Sequence, residues 1–338
     1  MADGALFPAC VTFPVIANHI DQEAMATPVF IVDAFTNEKF CGNQAAVCLF
    51  KKPRSDLEYQ RIGAEFNLSE TAVPLPLDTN DFKTASKFSL RWFTPTNEVS
   101  LCGHATLATA HVLFHDVGNV NQTIAFESKS GTLTVDKARN GSYQLNFPLY
   151  KLRSLKFSNK KNPFANKFEE IEGPAFILDI VKSLGIESKF KGALQNVDSK
   201  KCILVIDENT TKEELQNVTR CPDEMLKTHP EGTFVRGVVV SFKPKDPVAQ
   251  GFVDKNGRPY DYVSRYFAPW VGINEDPATG SSQCVLANLW SKFFEEGREL
   301  YAFQCYPNRG AQFLVQPKND RLAIKGEAVT VIQGTANF

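Results

Sequence analysis

The sequence says much the same thing twice, and that repetition constrains the fold more than any other feature. The first copy runs Leu90-Arg91-Trp92-Phe93-Thr94-Pro95 and then Cys102-Gly103-His104-Ala105-Thr106-Leu107-Ala108. The second runs Ser264-Arg265-Tyr266-Phe267-Ala268-Pro269 and then Asp276-Pro277-Ala278-Thr279-Gly280-Ser281-Ser282. In each, an arginine–aromatic–phenylalanine segment is followed by a glycine that opens an apolar helix, His104 to His115 in one copy and Ser281 to Phe294 in the other. Strand-like segments follow both helices, Gly131-Thr132-Leu133-Thr134-Val135 and Gly310-Ala311-Gln312-Phe313-Leu314-Val315. Chance supplies one short match, but seldom the same elements in the same order at near-equal spacing. The chain therefore reads as two similar domains.

Residues 1–27 show no clear period and read as an extension. The first domain is expected over 28–150 and the second over 151–338, with the last strand free to pack on the first domain. Between them, Pro148 to Lys167 holds six lysines and arginines and reads as a solvated basic connector. Within the first half, Ser55-Asp56-Leu57-Glu58 is a capping box for a helix carrying Tyr59, Ile62 and Phe66, with Asn67 as its stop. The run Thr71-Ala72-Val73-Pro74-Leu75 reads as a short edge strand, because proline cannot donate to a ladder.

Composition removes several functions. Lys+Arg is 37 and Asp+Glu is 38, a net charge of -1, which is not the basic footprint of a nucleic-acid binder. No apolar run reaches about 18 residues, so no membrane span is expected. Eight cysteines with no C-x-x-C pair, and five histidines, argue against a structural zinc site or a disulfide scaffold. Reduced thiols and a start without a basic leader make the cytoplasm the expected compartment. The dinucleotide, Walker A, nucleophile-elbow and His-Glu-x-x-His motifs are all missing. Acid–base chemistry without metal or cofactor, or simple ligand binding, remains.

The helix bodies Leu107–Phe114 and Val285–Trp290 are apolar on nearly every side, which places them in the interior. Their first N–H groups still need partners, and a leading glycine lets a ligand approach them. A carboxylate suits such a terminus. Gly103 and Gly280 read equally as residues of tight turns. His104 lies at the first terminus, where the helix dipole favours a neutral imidazole that still donates one hydrogen bond. Asp276 precedes the second terminus and reads also as an N-cap or Asx-turn residue before Pro277. His111 and His115 read as core and helix-end residues. Glu70, in Ser69-Glu70-Thr71, reads also as a capping or edge-strand carboxylate.

Taken in order, several segments resemble the phenazine-biosynthesis PhzF-like family within the diaminopimelate-epimerase-like fold. They are Val32-Asp33-Ala34-Phe35, Gly42-Asn43-Gln44-Ala45-Ala46-Val47, Asn67-Leu68-Ser69-Glu70-Thr71, Arg91-Trp92-Phe93-Thr94-Pro95, Leu101-Cys102-Gly103-His104-Ala105-Thr106 and Glu275-Asp276-Pro277-Ala278-Thr279-Gly280-Ser281. The resemblance implies an α/β (α+β) protein of two facing domains, each a curled, mostly antiparallel sheet around a central buried helix. It implies an isomerase site in the cleft between them, acting on a small carboxylate-bearing substrate, and leaves room for a homodimer. Glu70 matches the family's acid–base carboxylate, and His104 and Asp276 its supporting polar residues. Gly103, Gly280 and Ser281 match groups that hold substrate through backbone N–H and hydroxyl. The family's archetype isomerises a dihydro-hydroxyanthranilate without metal or cofactor. Two departures stand out. Gln44 replaces a frequent proline, and Cys102 is the only counterpart of the two opposed thiols of related epimerases, since Asp276-Pro277-Ala278 offers no second. An epimerase using Cys102, and a ligand-binding or regulatory protein on the same fold, are the alternatives.

Overall fold

The computed structural model describes residues 26–158, 162–307 and 309–338. Nearly all of the expected extension lies outside the described residues.

In the first half the strands are β1 (Thr27–Ala34), β2 (Asn43–Cys48), β3 (Glu70–Pro76), β4 (Lys87–Phe93), β5 (Glu98–Val99), β6 (Thr123–Ser128), β7 (Gly131–Lys137) and β8 (Tyr143–Pro148). The second half contributes β9 (Arg153–Lys156), β10 (Glu169–Glu172), β11 (Phe190–Asn196), β12 (Lys201–Ile206), β13 (Gly237–Phe242), β14 (Tyr262–Ala268), β15 (Ile273–Asp276), β16 (Leu300–Tyr306), β17 (Arg309–Lys318), β18 (Arg321–Gly326) and β19 (Ala328–Ala336).

Pairing follows one rule in both halves. The first sheet runs β19-β1-β2-β3-β4-β6-β7-β8, with β2–β3 and β4–β6 parallel and every other pair antiparallel. The second runs β9-β11-β12-β13-β14-β16-β17-β18, with β12–β13 and β14–β16 parallel and the rest antiparallel. Antiparallel β8 and β18 join the two sheets. The chain that leaves β8 supplies β9 to the second sheet, and the chain that leaves β18 supplies β19 to the first. Counted by repeat, β1–β9 and β11–β19, each unit thus lends its last strand to the other sheet.

Sequence repeat and structural repeat coincide. Arg91 lies opposite Val73 of β3, and Arg265 opposite Val240 of β13, so the two arginines hold equivalent places. Each grips a glutamate of the short strand beside it through two hydrogen bonds, Arg91 to Glu98 at 2.9 and 2.8 Å and Arg265 to Glu275 at 2.7 and 2.9 Å.

Gly103–His111 and Gly280–Trp290 are the two central helices. Every residue of the first is buried, which explains its all-round apolar sequence. The first helix touches β19, β1, β2, β3 and β8, strands from both ends of its sheet, so the sheet wraps around it. One apolar core spans both helices and both sheets, and a second fills the outer part of the second half.

The Asp56–Phe66 helix carries its capping box on Ser55 and Glu58 and stops at Asn67 in the left-handed region, φ 50°. Two expectations give way. The Glu70–Pro76 strand is interior, not an edge: it pairs with β2 through Ala72 and with β4 from Thr71 to Pro76, and Pro74 falls where β2 has already ended. Pro148 to Lys167 is more than a connector, because β9 lies within it with Ser154 and Leu155 buried. Both Ser154 and Leu155 are covered while Arg153 and Lys156 stay exposed, so two buried positions lie hidden under the basic composition.

Candidate active site

The two central helices meet at their N-termini. A Cβ on Gly103 would lie 2.8 Å from the Gly280 Cα, and one on Gly280 would lie 3.0 Å from the Gly103 Cα. Neither position has a positive φ, so the close approach of two backbones requires glycine here, not a turn. Around that contact opens a cavity of about 430 Å³, lined by residues of both halves that include Glu70, His104, Lys201, Asp276, Gly280 and Ser281. The six residues that sequence reasoning put forward all belong to this one place: Glu70, Gly103, His104, Asp276, Gly280 and Ser281.

Local geometry explains their convergence. Glu70 is the first residue of β3, and Asn43 opens β2 two residues before its ladder with β3 begins. Gly42 precedes Asn43 with φ +62°, and a Cβ there would fall 2.1 Å from the Ala34 carbonyl oxygen, so only glycine makes this corner. Arg309 of the other half clamps it, donating to the Gly42 and Cys41 carbonyls at 3.0 and 2.8 Å and to Asp33 at 2.9 Å.

His104, in the first helical turn, is 3% exposed and held on every side. Its Nε2 lies 3.1 Å from Ser69 Oγ and 3.1 Å from Glu70 Oε2, and its Nδ1 lies 3.2 Å from Asn43 Nδ2 and 3.4 Å from Cys102 Sγ. Burial alone would lower the imidazole pKa. The Cys102 sulfur and the Glu70 carboxylate outweigh it and hold the pKa well above the usual value. The expected neutral His104 is therefore corrected: a carboxylate in contact overrides the helix dipole. Glu70 is 6% exposed, and its Oε2 lies 3.1 Å from Nε2 without a hydrogen bond of good geometry to any group among the described residues.

Asp276 ends β15 and is not the helix cap; Thr279 holds that position. One Asp276 carboxylate oxygen accepts from Asn43 Nδ2 at 2.6 Å, and the other accepts from the Thr279 hydroxyl. Gln304 fixes the loop, donating to the Asp276 carbonyl at 2.6 Å and accepting from the Thr279 N–H at 2.9 Å. Burial pushes the Asp276 pKa up to about 6, with Glu70 adding to the rise and His104 opposing it. Asn43 thus stands between His104 of one helix start and Asp276 beside the other, with its amide hydrogens directed to Asp276 and the Ala278 carbonyl. Burial, reinforced by Glu70, pushes the Cys102 thiol up to about 11, so it is protonated at neutral pH.

Sequence reasoning missed Asn43, Ser69, Thr279, Gln304 and, above all, Lys201. Asn43 stood inside a recognised motif without a role, and no motif in the sequence singles out Lys201. Lys201 is only 8% exposed and opens β12 on the cavity wall. Among the described residues its ammonium has no carboxylate or carbonyl partner; its one contact is the Tyr266 ring at 5.9 Å. Burial pulls its pKa below the ordinary lysine value, with Cys284 and Asp276 opposing. Glu70, Cys102 and His104 also form a set of three grouped metal-ligand types, and a second set forms at His111, His115 and Asp116. Ligand spacing in the sequence gave neither away. In the cleft set both His104 nitrogens are already engaged by protein groups.

A relative of Mus musculus described as phenazine biosynthesis-like domain-containing protein 1 is 39% identical over 313 residues, 92% of this chain and 99% of the relative. An uncharacterized isomerase of Halalkalibacterium halodurans is 35% identical over 310 residues, 91% of this chain and 98% of the relative. A crystal structure of a PhzF-family phenazine biosynthesis protein from Enterococcus faecalis superposes with a TM-score of 0.71 at 31% identity, covering 92% of this chain and 99% of that one. The fold extends to a predicted epimerase of Pseudomonas aeruginosa, TM-score 0.63 at 18% identity, covering 92% and 99%. The sequence pattern of the family described as phenazine biosynthesis-like protein matches residues 32–334, and the chain belongs to that family.

Proposed function

We propose that this protein is a cofactor-independent isomerase that moves a proton on a small carboxylate-bearing substrate. The observation that carries the reading is Glu70: a buried carboxylate on the cavity wall with an oxygen that no donor holds, in contact with a histidine whose pKa is raised. Such an oxygen is free to take a proton, and the adjacent imidazolium keeps it ionised until it does. Glu70 removes the proton and returns it at another carbon of the same face. His104 faces the charge that develops meanwhile, with Ser69 Oγ and Cys102 Sγ as acceptors for its two N–H groups. The substrate carboxylate sits at the paired helix N-termini, on the Gly103 and Gly280 backbone and the Ser281 hydroxyl, with the Lys201 ammonium as its counter-ion. The isomerase description of the Halalkalibacterium relative supports the same class of chemistry.

Cys102 fits a two-base epimerase poorly. Its thiol stays protonated, and no second cysteine lines the cavity among the described residues.

The test is deuterium uptake from D₂O into dihydro-hydroxyanthranilate and a panel of cyclic amino acids, followed by NMR. Wild type should label at least one compound at one carbon. Glu70→Gln, which keeps shape but cannot accept a proton, should label it about 10²–10⁴-fold more slowly. Equal labelling rates in the two proteins would remove Glu70 from the chemistry.

A further inference from the structure

The second ligand set lies at the other end of the first central helix, with His111 about 12 Å along from Gly103 at 1.5 Å per residue. His111 and His115 are one helical turn apart, and Asp116 follows. The helix changes character there, with Val112–Asp116 forming a single π-helical turn, an insertion found often at functional sites. The two imidazoles stack with centroids 4.9 Å apart and an 11° interplanar angle. Asp116 Oδ1 is 3.0 Å from His115 Nδ1, and its Oδ2 is 4.0 Å from His111 Nε2. One candidate ligand atom from each residue lies within 4.8 Å of the others.

His111 is 6% exposed, and its Nε2 has no hydrogen-bond partner among the described residues. Its other nitrogen is tied to the Tyr143 hydroxyl at 3.2 Å. Leaving a buried ring nitrogen unpaired is costly, and a ligand at that nitrogen would remove the cost. Asp116 is oriented too, accepting from the Thr330 hydroxyl at 2.6 Å. Metal-binding imidazoles and carboxylates carry this kind of second partner. The carbonyl end of a helix also favours a cation.

We propose that His111, His115 and Asp116 bind one divalent transition-metal ion, zinc being the best match to two imidazoles and a carboxylate. Bonds of about 2.0–2.2 Å require ligand atoms closer together than they now stand. His115, its side chain 68% exposed, is free to swing inward while the buried pair stays in place. Solvent takes the fourth position. The ion is structural: through Tyr143 and Thr330 it ties the helix end to β8 and to β19, the strand returned from the other half. Proton transfer in the cleft does not depend on it.

Full-length protein, stripped with a chelator and dialysed, is titrated with Zn²⁺ alone by calorimetry and with Co²⁺ by visible absorption. One ion per chain is expected. His115→Ala and Asp116→Asn should each bind at least about tenfold more weakly, and Tyr143→Phe about 10- to 100-fold more weakly. Zn²⁺ should raise the thermal midpoint of wild type and leave that of His115→Ala unchanged, and Mg²⁺ should do neither. His115 is exposed, so its variant folds whatever the fate of a His111 variant. His104→Asn, which breaks the cleft set, should bind Zn²⁺ as wild type does. The proposal is overturned by no binding at about 1 mM Zn²⁺, by equal affinity in wild type, His115→Ala and Asp116→Asn, or by a loss in His104→Asn alone.

Discussion

Asp276 and His104 sit in one buried network, yet their titrations act on stability in different pH windows. The Asp276 pKa, at about 6, lies above that of an unfolded aspartate. Between about pH 4 and 6 the native state therefore holds more protons than the unfolded state, and stability falls as pH rises. Asp276→Asn removes that slope. From pH 4 to 6.5, wild type should lose of order 1–3 kcal/mol relative to the variant, measured by urea unfolding at the two pH values; parallel losses would mean that Asp276 titrates as an ordinary carboxylate. His104, with its raised pKa, contributes stability that is present below the usual histidine value and lost as pH climbs through the higher folded value. Lys201 yields a prediction about substrate. If it is the counter-ion of a carboxylate, Lys201→Met should raise KM for the labelled compound about 10- to 100-fold, the worth of a charged hydrogen bond, and leave kcat nearly unchanged. A change in kcat alone would give Lys201 a part in proton transfer instead.

Elements, not single residues, carry the duplication. Arg91–Glu98 and Arg265–Glu275 are the same strand-to-strand clamp built twice, in different surroundings. The first pair has side chains 28% and 14% exposed, the second 1% and 2%. Arg265 also donates to the Leu215, Gln216 and Val218 carbonyls, so one guanidinium serves four groups in the interior. Removing one partner of a buried ion pair costs about 3–5 kcal/mol, whereas a partly solvated pair is worth about 1 kcal/mol or less. Arg265→Met should accordingly destabilise far more than Arg91→Met in denaturant unfolding. Equal effects would show that burial does not separate the two copies. The repeat was legible because an arginine followed by two aromatics is rare enough to notice. The glutamate partners were not, since nothing local marks Glu98 or Glu275 among 38 acidic residues.

At the scale of the whole molecule, the strand exchange makes the halves interdependent. β19 pairs with β1 from Thr27↔Ala336 to Ala34↔Ala328, with one irregularity. Beyond it, the Phe338 ring packs near Phe50 and Phe66. Deleting residues 328–338 should strip β1 of its outer partner and expose an unpaired apolar edge. The expected outcome is aggregation on size exclusion, and loss of amide protection in β1 and β2 of whatever stays soluble. A monomer with native protection in those strands would mean that the first sheet closes without its borrowed strand.

Much was decided by local chemistry and is readable without a structure. Two glycine-led apolar helices can only be buried, the capping box on Ser55 can only start a helix, and a repeated order of elements implies a repeated pairing order. The candidate site was legible as far as motifs reach: Glu70, His104, Asp276 and the two glycines. Tertiary structure alone decided what depends on distant neighbours. It made the Glu70–Pro76 strand interior, turned part of a basic connector into β9, and chose β1 as the partner of a last strand expected to be free to pack on the first domain. It also buried Lys201 facing the cavity and set a carboxylate against His104, which reverses the protonation that the helix dipole by itself would favour. Periodicity along a chain records which face of an element is apolar. It carries no record of which remote strand or charge will meet that face, and the exchange, the free ammonium and the shifted pKa values all come from those meetings.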